Sequence, residues 1–495
     1  MESVHGDGTK TVILVLNEAL QQLQRHLRMT RSDRVHVAKS LATIETSLIQ
    51  NPNVELLFGP FAISTDFKDR KVVFAVMENL IVTALTPSVH ATISNQLKSV
   101  ITTMLDQMWR GTERRGLQEQ LRLVQEAPPV VVASGLGVSQ SMACDGILVD
   151  IAAPTHFSTA HNHLLPIQNA KCAVICFDVD RDGDSGDDHS ETPVLEVSTP
   201  SAYQSALRHG YDKDDAIVQG LANASINLVV SDQVVGRRLK QMMLTSRIAV
   251  LDNLQRKSIE VLTTHLPQQP LDIPFVLGSW FQSPRVSRVN AGGSKIVQFE
   301  TDAECVCSAM LCAPSPSIAN QLKTHFQRGI RCLSSWAGIG NVRNRRDPQA
   351  PLFEDKESKR KRGHARAPWH LHGSGASEMR LAEALEKLGE RHAQADRMMS
   401  IVCRALSKGF QSIPVFLQQS KACPPLCSSD EESRRKRVVR VSRRVLLKGM
   451  TFNNSEKAVI HPLEVKLAVF SHVVWCLKTI VRVDGVHSAK RVGAH

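Results

Sequence analysis

The segment Gly6-Asp7-Gly8-Thr9-Lys10-Thr11 stands directly before the first amphipathic stretch of the chain. Apolar residues recur in that stretch at helical spacing, at Val12, Leu16, Leu20, Leu23 and Leu27. Glycines let a backbone approach phosphate closely, a helix N-terminus favours an anion, and an aspartate can hold Mg²⁺. The segment therefore predicts a phosphate-binding turn. A plain turn that caps the helix through Thr9 is the alternative.

The order of predicted elements outlines a domain organisation. Helical periodicity covers about residues 32–49 and 87–108, and returns at 377–390, 396–417 and 462–481. Short β-branched runs occupy the middle, at 128–133, 146–150, 173–177, 226–230, 248–251 and 259–262, with helical patterns such as 235–244 between some of them. Two strand-like runs between 295 and 312 and a helix at about 316–336 follow. A helical domain built from both chain ends, with an inserted α/β domain, fits this order.

Composition excludes several classes of protein. Of the 495 residues, 42% are hydrophobic and 22% are charged, which is typical of globular chains. No run of eighteen apolar residues occurs, and the first residues do not resemble a signal peptide. The eleven cysteines are scattered and form no pair of Cys-x-x-Cys motifs. We therefore expect no zinc site and a reduced, intracellular chain.

The net charge of +12 is concentrated in two basic runs, at residues 343–366 and 434–448. Dense like charge in polar sequence predicts solvated loops, with a nuclear-localisation signal and nucleic-acid binding as alternatives. Only 4% of the residues are aromatic, so platforms for stacking bases are scarce. Specific nucleic-acid binding is accordingly not expected.

Other site motifs are incomplete. The run 178–183 imitates the start of a Ca²⁺-binding EF-hand loop, but loop position twelve is His189 where a glutamate is required. His156, His161 and His163 have no cysteine or carboxylate partner at ligand spacing. No Gly-x-Ser-x-Gly elbow occurs, so serine hydrolase chemistry is not indicated.

Five segments, spread in order over nearly the whole chain, resemble group II chaperonin subunits. They are residues 6–11, 146–150 with 166–174, 226–230 with 247–250, 373–378, and 459–466 with 481–486. The first is similar to the family's phosphate-side loop, and Gly373-Ser374-Gly375 to its glycine-rich return into the equatorial domain. The resemblance implies an α+β multidomain chaperonin-like fold. In that fold both chain ends form a helical equatorial domain, and an intermediate domain carries an inserted α/β apical domain.

The resemblance also implies domain boundaries. The expected segments are 1–85 (equatorial, N-terminal part), 86–133 (intermediate, first part), 134–285 (apical), 286–342 (intermediate, second part), 343–370 (basic linker) and 371–495 (equatorial, C-terminal part). The family places a stem helix and a Gly-Pro-x-Gly loop before the segment matched at Gly6. We therefore expect the chain to be a fragment or its site to be incomplete.

Within the family, the chain looks most like the chaperonin-like proteins of Bardet–Biedl syndrome. Lys10, where ordinary subunits have Thr, and the basic insertion before Gly373 carry this resemblance. The McKusick–Kaufman type protein is the remaining alternative. The resemblance implies a chaperone that assembles the BBSome, a ciliary trafficking complex, in the cytoplasm and at the cilium or basal body. Implied partners are other chaperonin-like Bardet–Biedl proteins, cytosolic chaperonin subunits and BBSome subunits.

The resemblance further implies a nucleotide site. ATP would be bound by residues of both chain ends, with Mg²⁺ on Asp7; these residues are Gly6, Asp7, Gly8, Thr9, Gly373, Ser374 and Gly375. The family's catalytic aspartate position falls on Gly329, and no Asp or Glu lies between residues 319 and 340. We therefore assign no catalytic residue and expect no efficient ATPase. The alternatives are a true ATP-dependent folding subunit and, more distantly, a basic nuclear adaptor.

Overall fold

The structure is a computed structural model. It describes residues 8–28, 30–48, 58, 62–65, 69–85, 89–110, 116–151, 165–176, 199–292, 294–301, 306–339, 369–373, 375–420 and 460–482. Several predicted features lie outside these residues: Gly6, Asp7, Ser374, the two basic runs, the EF-hand-like run and the three histidines at 156–163.

The described helices and strands follow the order helical, mixed, helical along the chain. The helices are α1 (Thr9–His26), α2 (Arg31–Leu48), α3 (Arg70–Leu85), α4 (Ala91–Arg110), α5 (Leu117–Glu126), α6 (Pro200–Asn223), α7 (Arg237–Thr245), α8 (Arg256–His265), α9 (Pro316–Trp336), α10 (Ala376–Arg391), α11 (Arg397–Ser420) and α12 (Leu463–Arg482). The strands are β1 (Ala62–Ser64), β2 (Val130–Ser134), β3 (Met142–Asp145), β4 (Ile147–Asp150), β5 (Ile167–Cys176), β6 (Leu228–Val230), β7 (Ala249–Leu251), β8 (Gln269–Pro270), β9 (Leu277–Ala291), β10 (Ser294–Phe299), β11 (Cys307–Ala313), β12 (Trp369–His372) and β13 (Ile460–Pro462).

The chain divides into two compact units. Residues 1–94 and 327–495 form one, called here the terminal unit, and residues 95–326 form the other, the central unit. None of the helices in the described part of the chain has the length and apolar character needed to cross a membrane.

The terminal unit is a helical bundle that contains helices from both ends of the chain. Helix α11 packs against α1, α2 and α10, and α12 packs against α1 and α2. Each of these five helices contributes to one apolar core, for example through Val15, Leu41, Leu385, Leu406 and Phe470. The stripe predicted on the last helix, Leu463, Leu467, Phe470, Val474, Leu477 and Val481, is buried throughout.

A small sheet accompanies the bundle, with strand order β1-β12-β13. A separate apolar cluster joins Leu371 of β12 to Phe58 and to Leu463, the first residue of α12. The buried Thr65 hydroxyl and His370 Nδ1 lie 3.2 Å apart, which is hydrogen-bonding distance. Because β13 leads directly into α12, this sheet fixes the start of the last helix.

The central unit contains a sheet of order β4-β10-β9-β5-β6-β7, in which β8 also pairs with β9. Strands β5, β6 and β7 pair in parallel. Cys172 and Val174 of β5 face one apolar cluster with helix α8, whereas Ala173 and Ile175 face another with α6 and α7. Burial on both faces explains why these strands read as continuous apolar runs. A second sheet has the order β2-β11-β3.

The structure corrects one predicted element and adds others. Residues 259–262 lie within helix α8, so the strand predicted there is wrong. A short apolar run has no periodicity that separates a buried helix from a strand. Helices α3, α5 and α6 and the long strand β9 were not predicted. The α+β fold class is consistent with these elements, while the six domain segments stay a prediction.

Candidate functional site

The first predicted phosphate-binding segment ends at a helix N-terminus. Gly8 is the N-cap of α1 and has a φ of 97°, a conformation that favours glycine. No acidic residue occupies the first turn of α1, and no side chain caps it. The Thr9 hydroxyl is therefore not the cap that the alternative interpretation requires. The helix dipole makes this end attractive to an anion.

The second segment also ends at a glycine that caps a helix. Gly375 is the N-cap of α10 with a φ of 87°. A Cβ at this position would lie 2.8 Å from the Cβ of Pro414, so the position requires glycine for space as well as for conformation. The Gly373 carbonyl accepts a hydrogen bond from the Ala376 amide at 3.2 Å.

Helix packing brings these two helix starts to the same end of α11. Gly409 of α11 lies against Val15 of α1, and Pro414 lies against Gly375. Toward the other end of α11, Cys403 lies against Gly389 of α10. Helices α1 and α10 therefore both run antiparallel to α11, since Gln22 and His26 of α1 share a cleft with Arg404 of α11.

The helical rise locates both glycines along the α11 axis. Gly8 precedes Val15 by about 10 Å of helix, and Pro414 follows Gly409 by about 7 Å, from a rise of roughly 1.5 Å per residue. Gly8 and Gly375 are thus level to within a few ångströms along α11. Two of the predicted site residues, distant in sequence, face the same end of the bundle.

A buried ion pair adjoins Gly375. Glu378 occupies the first turn of α10, and Lys466 of α12 donates to its Oε1 at 2.5 Å. Ser377 Oγ donates to its Oε2 at 2.8 Å. Burial alone would raise the pKa of Glu378, but Lys466, with His461 and Ser377, holds it at about 2. The carboxylate is therefore ionised at neutral pH.

Sequence analysis did not identify this pair. Both residues lie in segments that carry the family resemblance, but 88 residues separate them. An acidic residue in a first helical turn is common enough to need no partner. That Lys466 of α12 contacts Glu378 is therefore visible only in the folded structure.

Helix α9 supplies no carboxylate. Gly329 lies in the interior of α9, and the described residues 306–339 contain neither Asp nor Glu. Its neighbours Arg328 and Arg331 are cationic and cannot act as a general base. This helix carries no group able to orient an attacking water by accepting its proton.

Metal binding has limited support among the residues that the structure describes. No group of three or more His, Cys, Asp or Glu side chains among them could hold a metal ion. The glycine-capped helix starts fit a phosphate group, whereas Asp7, the predicted Mg²⁺ ligand, lies outside the described residues.

Comparison with known proteins identifies the fold. The chain matches no protein-family model and no curated protein. Among solved structures it is similar to the open-state monomer of a group II chaperonin from Methanococcoides burtonii, with a TM-score of 0.55 and 12% sequence identity. The match covers 96% of this chain and 100% of the chaperonin chain. The chain therefore has a fold like that of a group II chaperonin subunit.

Proposed function

We propose that this chain is a chaperonin-like assembly factor that binds ATP and Mg²⁺ without efficient hydrolysis. The observation that supports it most is the chaperonin-like fold over nearly the whole chain, combined with an α9 that has no carboxylate. Within the family we assign it to the Bardet–Biedl syndrome branch, nearest the tenth protein of that series. It acts in BBSome assembly and ciliogenesis, in the cytoplasm and at the cilium or basal body. Its partners are the other chaperonin-like Bardet–Biedl proteins, cytosolic chaperonin subunits and BBSome subunits.

Two helix starts that face one end of α11 support the proposal of nucleotide binding. Gly8 and Gly375 cap these two helices, and both helix dipoles favour negative charge at the caps. Asp7 directly precedes Gly8 in the sequence, and we assign it the role of Mg²⁺ ligand. The nucleotide then acts by stabilising one shape of the chain rather than by driving a cycle of hydrolysis.

Absence of turnover follows from Gly329. A residue that accepts a proton from, or orients, the attacking water contributes typically about 10²–10⁴-fold to a rate. Glycine has no side chain for this role, and α9 offers no nearby acidic substitute. The rate of an ATPase that is built this way falls toward the uncatalysed background.

The second candidate is a true ATP-dependent folding subunit. The glycine caps at Gly8 and Gly375 favour it, because they are the parts of the site that an active enzyme also needs. The two functions differ in phosphate release. A binding-only protein retains ATP, whereas a folding subunit turns it over continuously.

The test combines binding and turnover. Equilibrium titration with Mg-ATP should show binding to the chain and loss of binding in Asp7→Ala, with Asp212→Ala, an exposed aspartate of α6, as the matched control. Steady-state phosphate release should stay at background in the chain and rise in Gly329→Asp. Turnover by the unmodified chain at the rate of active chaperonin subunits would establish the second candidate instead.

Partner recognition needs its own experiment. The tagged chain, expressed in ciliated cells, should recover BBSome subunits and cytosolic chaperonin subunits beyond a tag-only control. Depleting the chain should lower the amount of assembled BBSome without lowering the amounts of its subunit transcripts. Unchanged BBSome assembly after depletion would remove the ciliary part of the proposal and leave the chaperonin-like part standing.

A further inference from the structure

Glu378 places a full negative charge where the proposed site needs a positive potential. The residue is the third of α10, three positions after the glycine cap, and its side chain is buried. A helix N-terminus carries about half a positive elementary charge. An uncompensated carboxylate in the first turn would cancel this charge and repel an incoming phosphate.

Lys466 compensates that charge from a different helix. Its ammonium contacts Glu378 Oε1, and the two side chains are only 12% and 6% exposed. Solvent therefore screens the pair weakly. Because Lys466 stands four residues into α12, the contact also ties the start of α12 to the start of α10.

We propose that Lys466 and Glu378 form a charge-balancing pair that sets the affinity of the Gly8–Gly375 end of the bundle for nucleotide phosphates. The inference rests on the proposed function, since it assigns a role within the same site. Neither residue is assigned a contact with the phosphate. Lys466 neutralises the Glu378 carboxylate, so that the positive potential of the α10 N-terminus still acts on a phosphate. Glu378 in turn fixes the position of Lys466.

The charges predict opposite effects for the two single variants. Glu378→Gln leaves the lysine charge uncompensated and should tighten binding. Lys466→Met raises the pKa of Glu378, so it should weaken binding at a pH above that raised pKa, where the carboxylate is ionised and uncompensated. Unit charges on the order of 10 Å apart, at an effective dielectric constant of about 20, change an affinity on the order of tenfold. The double variant, which has neither charge, should bind within about threefold of the unmodified chain.

A purely structural role predicts a different pattern. If the pair served only to hold the two helices together, removing either partner would loosen the site, and both single variants would bind more weakly. The sign of the Glu378→Gln effect therefore separates the two roles. Lys466→Arg, which keeps the charge, should bind like the unmodified chain in the charge-balancing case.

The structure offers a matched control pair on the same helix. Lys478, twelve residues beyond Lys466 on α12, donates to Glu45 Oε2 of α2 at 2.9 Å. Lys478→Met and Glu45→Gln should leave nucleotide affinity unchanged. Each variant is first checked for a native far-ultraviolet circular dichroism spectrum.

The experiment is calorimetric titration of the full chain and its variants with Mg-ADP and Mg-ATP. Tighter binding in Glu378→Gln, weaker binding in Lys466→Met and near-native binding in the double variant are expected. If Lys466→Met does not fold, Glu378→Gln and the double variant still decide the result. Weaker binding in Glu378→Gln overturns the inference and leaves the proposed function intact. If the unmodified chain binds no nucleotide, the inference and the proposed function are both wrong, and Asp7→Ala will then show no further loss of binding.

Discussion

Gly409 provides a sensitive test of how the two chain ends pack. It lies in α11 where α1 crosses, and both helices belong to the terminal unit. A Cβ placed at Gly409 would lie 2.8 Å from the Val15 carbonyl oxygen and 3.4 Å from the Ala19 Cβ. The first distance is too short for a Cβ contact, and backbone cannot rotate away as a side chain can. Gly409→Ala therefore forces α1 and α11 apart.

The size of the effect follows from two opposing contributions. Replacing glycine by alanine inside a helix stabilises it by about 1 kcal/mol, because glycine loses more backbone entropy on folding. Overpacking a tight contact costs about 1–3 kcal/mol. Gly210 of α6 isolates the first contribution, because nothing lies within 4 Å of a Cβ built there. The difference between Gly409→Ala and Gly210→Ala should therefore be about 1–3 kcal/mol.

Hydrogen exchange followed by mass spectrometry measures how each substitution changes local stability. A local measurement is needed because a chain of two units cannot be assumed to unfold in one two-state transition. Amides of α1 and α11 should exchange about five- to hundredfold faster in Gly409→Ala, after correction for the gain that Gly210→Ala shows in α6. Equal or slower exchange of α1 and α11 in Gly409→Ala, after the same correction, would show that α1 does not pack at Gly409.

Two further predictions concern the start of α10. Burial would raise the pKa of Glu378 from 4.5, but Lys466 holds it at about 2. The stability that this pair contributes is therefore complete above about pH 4.5 and lost as the pH falls toward about 2. Compared with Glu378→Gln at the same pH, α10 amides of the unmodified chain should lose protection over that window, and identical protection profiles would contradict this. Gly375→Ala places a side chain at a positive φ and against Pro414, so it should destabilise the α10 N-terminus by about 1–2 kcal/mol. Unchanged exchange of the first amides of α10 in Gly375→Ala would refute this second prediction.

The apolar periodicity of the sequence predicted the buried residues of α12 better than those of α1. All six residues of the stripe predicted on α12 are buried, since their spacing alternates between three and four and follows the helical repeat. On α1, Val12 and Leu23 are buried as expected, but Val15 and Ala19 occupy the remaining core positions. Which face of α1 is buried depends on its close approach to Gly409 of α11, and the sequence of α1 alone does not reveal this contact.

The central sheet shows where local sequence was insufficient. Strand β9 pairs with both β5 and β10, yet it contains Gly278 and Pro284, which predict turns or breaks. Pro284 is tolerated because the residue facing it on β5, Asn169, has a φ of 49° and leaves the regular pairing. Only the partner strand reveals that this proline does not need to donate a hydrogen bond.

The candidate site was predictable only in part. Gly8 and Gly375 were identified as glycines in motifs, and the structure gives the physical reason for each, a positive φ at a helix cap. Their approach to one end of α11 depends on helix packing between the two chain ends. The contact between Lys466 and Glu378 has the same origin.

The measurement that tests the central claim most directly is a single-turnover experiment. The chain, in excess over γ-labelled Mg-ATP, is mixed, filtered and sampled over time, so that bound ATP and released phosphate are counted separately. A chaperonin-like scaffold without a catalytic carboxylate in α9 should retain label as intact ATP, with Gly329→Asp releasing phosphate faster by about 10²-fold or more. Release of phosphate from the unmodified chain as fast as from Gly329→Asp would contradict the account.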